Sequence, residues 1–179
     1  MTAKHAVATL ALTVLGTLAA AREVAAQAPV DFSGHWTVTR DSGPGAGGES
    51  GWGPTFTIVQ RTDSLMVERM FFSPADLQPP LRFRYSLDGA ESRNVVMVGR
   101  GTQTQLGRAR WQGESLVIVI RHVDPSADEG RGVTAEVRHV LSYEPAAREA
   151  HPPALVIETT RPGILGGAPS TTRTVYTRG

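Results

Sequence analysis

From residue 32 onward, apolar and polar positions alternate with a period of two, and Gly, Pro, Asp and Ser break the pattern at short intervals. That is the spacing of strands that bury one face and wet the other. Phe32, Gly34, Trp36 and Val38 share one face of a first strand, with Ser33, His35, Thr37 and Thr39 on the other. Phe56, Ile58 and Gln60 alternate with Thr55, Thr57 and Val59 in a second. Thr62-Asp63-Ser64 predicts a tight turn, and Leu65, Val67 and the residues to Phe71 the returning strand of a hairpin. Residues 82–87 alternate and stop at Asp88-Gly89, a turn signal. Further strands are predicted over 94–98, 108–111, 116–120, 133–143, 155–160 and 170–177. The β-branched run 116–120 is expected to be the most buried. Helical periodicity is absent beyond the leader, apart from a helical turn expected at 146–150.

These strands follow one another through short connections, and sequential strands usually pair. An open meander of about eight to ten strands would leave two exposed edges, which closure removes. The expected fold is therefore all-β, an antiparallel meander closed into a barrel. It forms a single domain over residues 28–179, preceded by an N-terminal signal or anchor helix over 1–27.

That leader has a basic start, Lys4 and His5, and an uncharged apolar stretch over 6–21. The stretch is shorter than the roughly 20 residues a spanning helix needs, and small residues follow it, as in a signal peptide. A cut before Gln27 is favoured, because a cut after Ala28 would place Pro29 next to the scissile bond. Retention as an anchor is the alternative. The chain is thus expected in the periplasm or cell envelope. It has no Cys, so neither lipidation at a cysteine, disulfides nor thiol chemistry is available. The core alone must stabilise the domain.

The formal charge is +1. A near-neutral chain lacks the basic face that phosphate neutralisation demands, so nucleic acid is not an expected partner. Lys4 is the only lysine; the other basic residues are Arg. Guanidinium recognition of phosphate or carboxylate is one reading of that bias. The abundance of Ala, Gly and Pro favours the other, a GC-rich coding preference.

The segment Phe32-Ser33-Gly34-His35-Trp36 resembles the Gly-x-Trp signature of the lipocalin and calycin barrels. The resemblance implies that Trp36 closes one barrel end and that Arg178, near the end of the last strand, packs across its ring. Gly34, Trp36 and Arg178 are then structural. The layout also resembles a group of small secreted bacterial domains that begin Phe-Ser-Gly-x-Trp. Those carry Asp-Gly-x-Glu (here Asp88-Gly89-Ala90-Glu91) and Trp-x-Gly-x-x-Leu (here residues 111–116), and end Tyr-x-Arg. This second resemblance implies a fold and a compartment, not a reaction.

Candidate chemistry is sparse. His35, His122, His139 and His151 show no metal-binding spacing, although His122 and His139 fall on adjacent predicted strands. With His35 they would make a three-His site; separate imidazoles are the favoured reading. No Gly-x-Ser-x-Gly elbow occurs. Asp124, Asp128 and Glu129 lack the order of a calcium loop, and the Gly-x-Gly stretches precede no helix that could hold a phosphate. The best lead is apolar. Trp52 in a glycine-rich loop, Phe71 and Phe72 at a strand end, and Ile164 and Leu165 in a second glycine-rich loop would form a rim at one barrel mouth, or fold back as a plug.

The expected function is a non-enzymatic exported barrel that binds a small hydrophobic ligand or a protein partner at that mouth, with no cofactor and no metal. An accessory subunit of a larger membrane-associated envelope complex is the alternative. An enzyme using His122 or His139 with a carboxylate ranks behind both.

Overall fold

In a computed structural model, residues 30–39, 51–70, 79–98, 101–123, 136–144, 153–163 and 167–179 are described. The leader, the glycine-rich residues 40–50, Phe71, Phe72, Asp124, Asp128, Glu129, the 146–150 turn, His151, Ile164 and Leu165 lie outside them.

The described residues form ten strands: β1 Gly34–Val38, β2 Thr55–Gln60, β3 Ser64–Arg69, β4 Leu81–Ser86, β5 Asp88–Val98, β6 Gly101–Gln112, β7 Ser115–Val123, β8 Val137–Tyr143, β9 Leu155–Arg161 and β10 Ser170–Arg178. Every pairing is antiparallel, in the order β4-β3-β2-β1-β10-β9-β8-β7-β6-β5. The last strand returns to the first, placing Trp36 opposite Arg178. The two ends of the sheet, β4 and β5, are joined at Leu87 and lie side by side, so the meander is nearly closed into a barrel. This architecture is consistent with a lipocalin-like barrel.

The inward phase of each strand carries the core. Phe56 and Ile58 of β2, Leu65 and Val67 of β3, Phe83 and Tyr85 of β4, Leu116, Ile118 and Ile120 of β7, and Leu155 and Ile157 of β9 are buried. Fully burying one such side chain contributes about 1.5–3 kcal/mol. The expected burial of the 116–120 run holds for all but Val119, which is half-buried.

Two local expectations differ. The chain reverses at Leu87, and Asp88-Gly89 opens β5 as an irregularity, with the register shifting between Asp88 and Glu91. The Asp88 carboxylate accepts from the Ser86 hydroxyl (2.7 Å) and the Ala90 N–H (2.8 Å), which holds the kink. β5 and β6 are also longer than alternation predicts, because their hairpin extends into the exposed residues 101–103, where no apolar face is required.

One barrel end is sealed by aromatic rings. Phe32 stacks on Trp111 (centroids 5.9 Å apart) and tilts against Tyr143 (5.2 Å), and Trp36 meets Tyr143 at 6.0 Å. The Trp36 indole N–H donates to the Phe32 carbonyl (3.0 Å). Across this seal the Arg178 guanidinium lies 5.2 Å from the Trp36 ring centroid and donates to the Ser33 carbonyl at 2.8 Å. The arrangement implied by the Gly-x-Trp resemblance is therefore present. Gly34 belongs to it: its φ is +149°, and a Cβ there would meet Arg178 Nε at 3.0 Å. Gln60 fastens the segment before β1, accepting from the Phe32 N–H (3.1 Å) and donating to the Val30 carbonyl (2.7 Å).

Candidate functional site

The opposite end is built differently. Residues 51–54 fold across the mouth and are tied to three walls. The Val38 N–H donates to the Pro54 carbonyl (2.8 Å), the Tyr176 hydroxyl to the Gly53 carbonyl (3.2 Å), and Arg69 Nη1 to the Gly51 carbonyl. Trp52 is thereby carried inward. It is 3 % exposed and meets Phe56 (5.1 Å) and His139 (5.7 Å) edge-on. Of the two readings of Trp52, a rim at the mouth or a plug folded back over the core, its ring takes the second and joins the core. Glycines on both sides, Gly51 (φ +77°) and Gly53 (φ +81°), permit the inward fold.

Beside Trp52 lies a cavity of about 130 Å³. Val67, Phe83, Ile120 and Val137 form its apolar wall. Arg69, Tyr85, Gln105, His122, His139 and Arg161 supply its polar groups. The polar residues come from six different strands, and each occupies the inward phase of its strand. Arg69 follows Leu65 and Val67; His122 follows Ile118 and Ile120; His139 lies between Val137 and Leu141; Arg161 follows Ile157 and Thr159. A polar residue in step with an apolar face was the available signal, but it becomes a site only when the register gathers the strands.

The polar groups are held in place. The Tyr85 hydroxyl donates to Gln105 Oε1 (2.9 Å), and His139 Nδ1 shares a hydrogen bond with the Thr159 hydroxyl (3.0 Å). The Arg69 guanidinium lies 4.3 Å from the Phe83 ring centroid, a cation–π contact. Burial, then the positive charges of Arg161 and Arg69, then His122, push the His139 imidazole down to about 3. Burial and Arg69 lower His122 in the same direction. Burial also lowers Arg69, and drives the Tyr85 phenol up. Both imidazoles are therefore neutral near pH 7, and the field inside the cavity is positive. No carboxylate is among the described residues lining it.

The sequence candidates separate accordingly. His122 and His139 line one cavity, as their adjacent strands implied, whereas His35 is exposed and bonds to the Thr57 hydroxyl (3.2 Å). The three-His arrangement does not form. Among the described residues no cluster of three or more His, Cys, Asp or Glu is placed to hold a metal. Trp52 lines the cavity. Phe71, Phe72, Ile164 and Leu165 lie outside the described residues. Comparison with protein-family models and with curated proteins finds no match to this chain.

Proposed function

We propose that the chain is an exported, non-enzymatic binding barrel that takes a small organic molecule, or one group of a larger one, into the cavity beside Trp52. One observation carries the reading. A barrel sealed by aromatic rings at the Trp36 end has, at its other end, an apolar and aromatic wall with several convergent polar groups of shifted pKa. That combination is the general signature of a ligand site. The volume of about 130 Å³ lies below the 300–1,000 Å³ typical of drug-sized ligands, so the occupant is small or only partly enclosed. The wall is more polar than the purely hydrophobic ligand expected from the sequence would require. The resemblance to the secreted Phe-Ser-Gly-x-Trp group fits the compartment that the leader suggests.

An accessory-subunit role has less support. The large exposed hydrophobic residues among those described, Val59, Met70 and Val95, stand on β2, after β3 and on β5 rather than in one patch.

Native mass spectrometry of the chain purified from its own cell tests the reading. The expected result is an added non-covalent mass that Val137→Phe, which fills the cavity, abolishes. Bare protein for both, with no thermal shift from a library of small neutral and charged compounds, would overturn it.

A further inference from the structure

We propose that the cavity beside Trp52 takes an uncharged molecule about the size of one ring, held by an oxygen that accepts a hydrogen bond from the Gln105 amide. The proposal rests on the ligand-site reading above and adds the chemical class of the ligand.

Two side chains with unused hydrogen-bonding capacity carry it. Gln105 of β6 is 2 % exposed and His139 of β8 is 4 % exposed, and both line the cavity. Each is fixed at one polar atom. Gln105 Oε1 accepts from the Tyr85 hydroxyl, and His139 Nδ1 bonds to the Thr159 hydroxyl. The other polar atom of each, Gln105 Nε2 and His139 Nε2, has no hydrogen-bond partner among the described residues. Neither nitrogen is sealed inside the packed wall, so both open onto the cavity. Buried polar groups are nearly always hydrogen-bonded, and one left unserved costs the desolvation of that group.

The open atoms have a direction. Gln105 Nε2 only donates, so its partner is an acceptor. A carbonyl or hydroxyl oxygen is the acceptor that a small uncharged organic molecule offers. His139 adds a second contact point, since its neutral ring donates or accepts according to its tautomer.

Charge narrows the class. A cation would meet the positive field of Arg161 and Arg69, which helps to keep His139 neutral. A carboxylate reaching Gln105 would have to shed its water, and a neutral amide and a neutral imidazole give it no counter-charge. An uncharged oxygen meets the same N–H without that cost.

Size and walls set the rest. The volume of about 130 Å³ is close to the roughly 150 Å³ of an apolar protein cavity that holds one benzene ring. Trp52, Phe83 and Tyr85 supply aromatic surface against which a ring packs.

Titration calorimetry on the full chain with phenol, cyclohexanone, toluene and benzoate tests the class. Phenol offers a hydroxyl, cyclohexanone a carbonyl, toluene a ring without oxygen and benzoate a ring with a charge. Phenol or cyclohexanone is expected to bind about ten-fold or more tightly than toluene and benzoate, the scale of one hydrogen bond. The better of the two identifies the oxygen. Gln105→Leu should erase the preference over toluene, and toluene still bound shows that the cavity survives. Should that variant fail to fold, the ranking of the probes on the unaltered chain decides alone.

Toluene binding as tightly as phenol and cyclohexanone, or a preference that persists in Gln105→Leu, would overturn the proposal and leave the ligand site standing. Benzoate as the tightest probe would do the same. If none of the four binds while the natively purified chain carries an added mass, the proposal fails alone. If none binds and no mass is added, the ligand-site reading fails with it.

Discussion

The carboxamide of Asn94 serves Arg84 as a strand partner. Its Oδ1 accepts from the Arg84 N–H at 2.7 Å, and its Nδ2 donates to the Arg84 carbonyl at 3.0 Å. Ser92 extends the arrangement, its hydroxyl accepting from the Ser86 N–H at 2.8 Å. β4 and β5 are the two ends of the sheet, and these side chains satisfy backbone groups that a ladder would otherwise engage. Asn94→Ala is expected to destabilise the barrel by about 1–3 kcal/mol, the cost of two lost bonds and partly desolvated partners. Asn94→Asp keeps the acceptor, loses the donor and places a charge at a buried position, and should cost more. Urea unfolding checks the order, and size-exclusion chromatography checks whether the freed edges associate.

The same seam is closed from inside by Tyr85. Its ring lies flat against Gly107 of β6, so that a Cβ at 107 would stand 2.5 Å from Tyr85 Cε1. The phenol then reaches Gln105 in the cavity. Gly107→Ala is expected to cost about 1–3 kcal/mol, because the added methyl must push the Tyr85 ring aside and draw its hydroxyl off Gln105. The penalty should shrink in the Gly107→Ala/Tyr85→Leu pair. A double-mutant cycle that came out additive would show that the two residues do not touch.

At the sealed end, Arg178 contributes charge, shape and hydrogen bonds at once. It lies over Trp36 and bonds to the Ser33 carbonyl and to the Tyr143 hydroxyl (3.3 Å). Lysine keeps the charge but loses the planar fork, so Arg178→Lys is expected to cost roughly 1 kcal/mol and Arg178→Ala more. Near-UV circular dichroism should change with either variant, since the environment of Trp36 changes. Gly34→Ala should perturb the same band, its Cβ pressing on the Arg178 side chain.

How much of this was legible depended on what each strand faces. In β2, β3, β4 and β9 the inward positions are mainly apolar, so alternation located them to within a residue or two. The first half of β6 gave no such signal. Thr102, Gln103 and Thr104 are polar, and the inward positions are Gln105, which serves the cavity, and Gly107, which accommodates Tyr85. Whether Trp52 would stand at the rim or fold inward was not legible, because its burial comes from non-local ties at Gly51, Gly53 and Pro54, each a contact with a distant strand. The cavity was illegible as a unit because Arg69 and Arg161 are far apart in sequence and meet only through the register. The Trp36–Arg178 contact was legible, because the Gly-x-Trp resemblance implies an Arg near the end of the last strand against that Trp.

His139 gives the barrel a specific sensitivity to acid. Burial first, then Arg161 of β9, Arg69 of β3 and His122 of β7, hold its pKa at about 3, against 6.5 for an ordinary imidazole. Between those values the unfolded chain binds a proton that the folded chain refuses, so stability rises with pH across that window. The contribution is fully present above about pH 6.5 and is lost progressively as the pH falls toward 3, on the order of 5 kcal/mol in all. His122, lowered by burial and Arg69, adds to the slope with the same sign. Asp31 and Asp88, whose carboxyls are held below the usual range by hydrogen bonds, lose their contributions only at the acid end. His139→Gln, which has no proton to refuse, should therefore show a shallower fall in unfolding free energy between about pH 6.5 and 4.5. Urea titrations of both proteins across that range check it. Equal slopes would mean that His139 takes up its proton in the folded barrel as readily as in the unfolded chain, and that the positive field around it is weaker than the geometry requires.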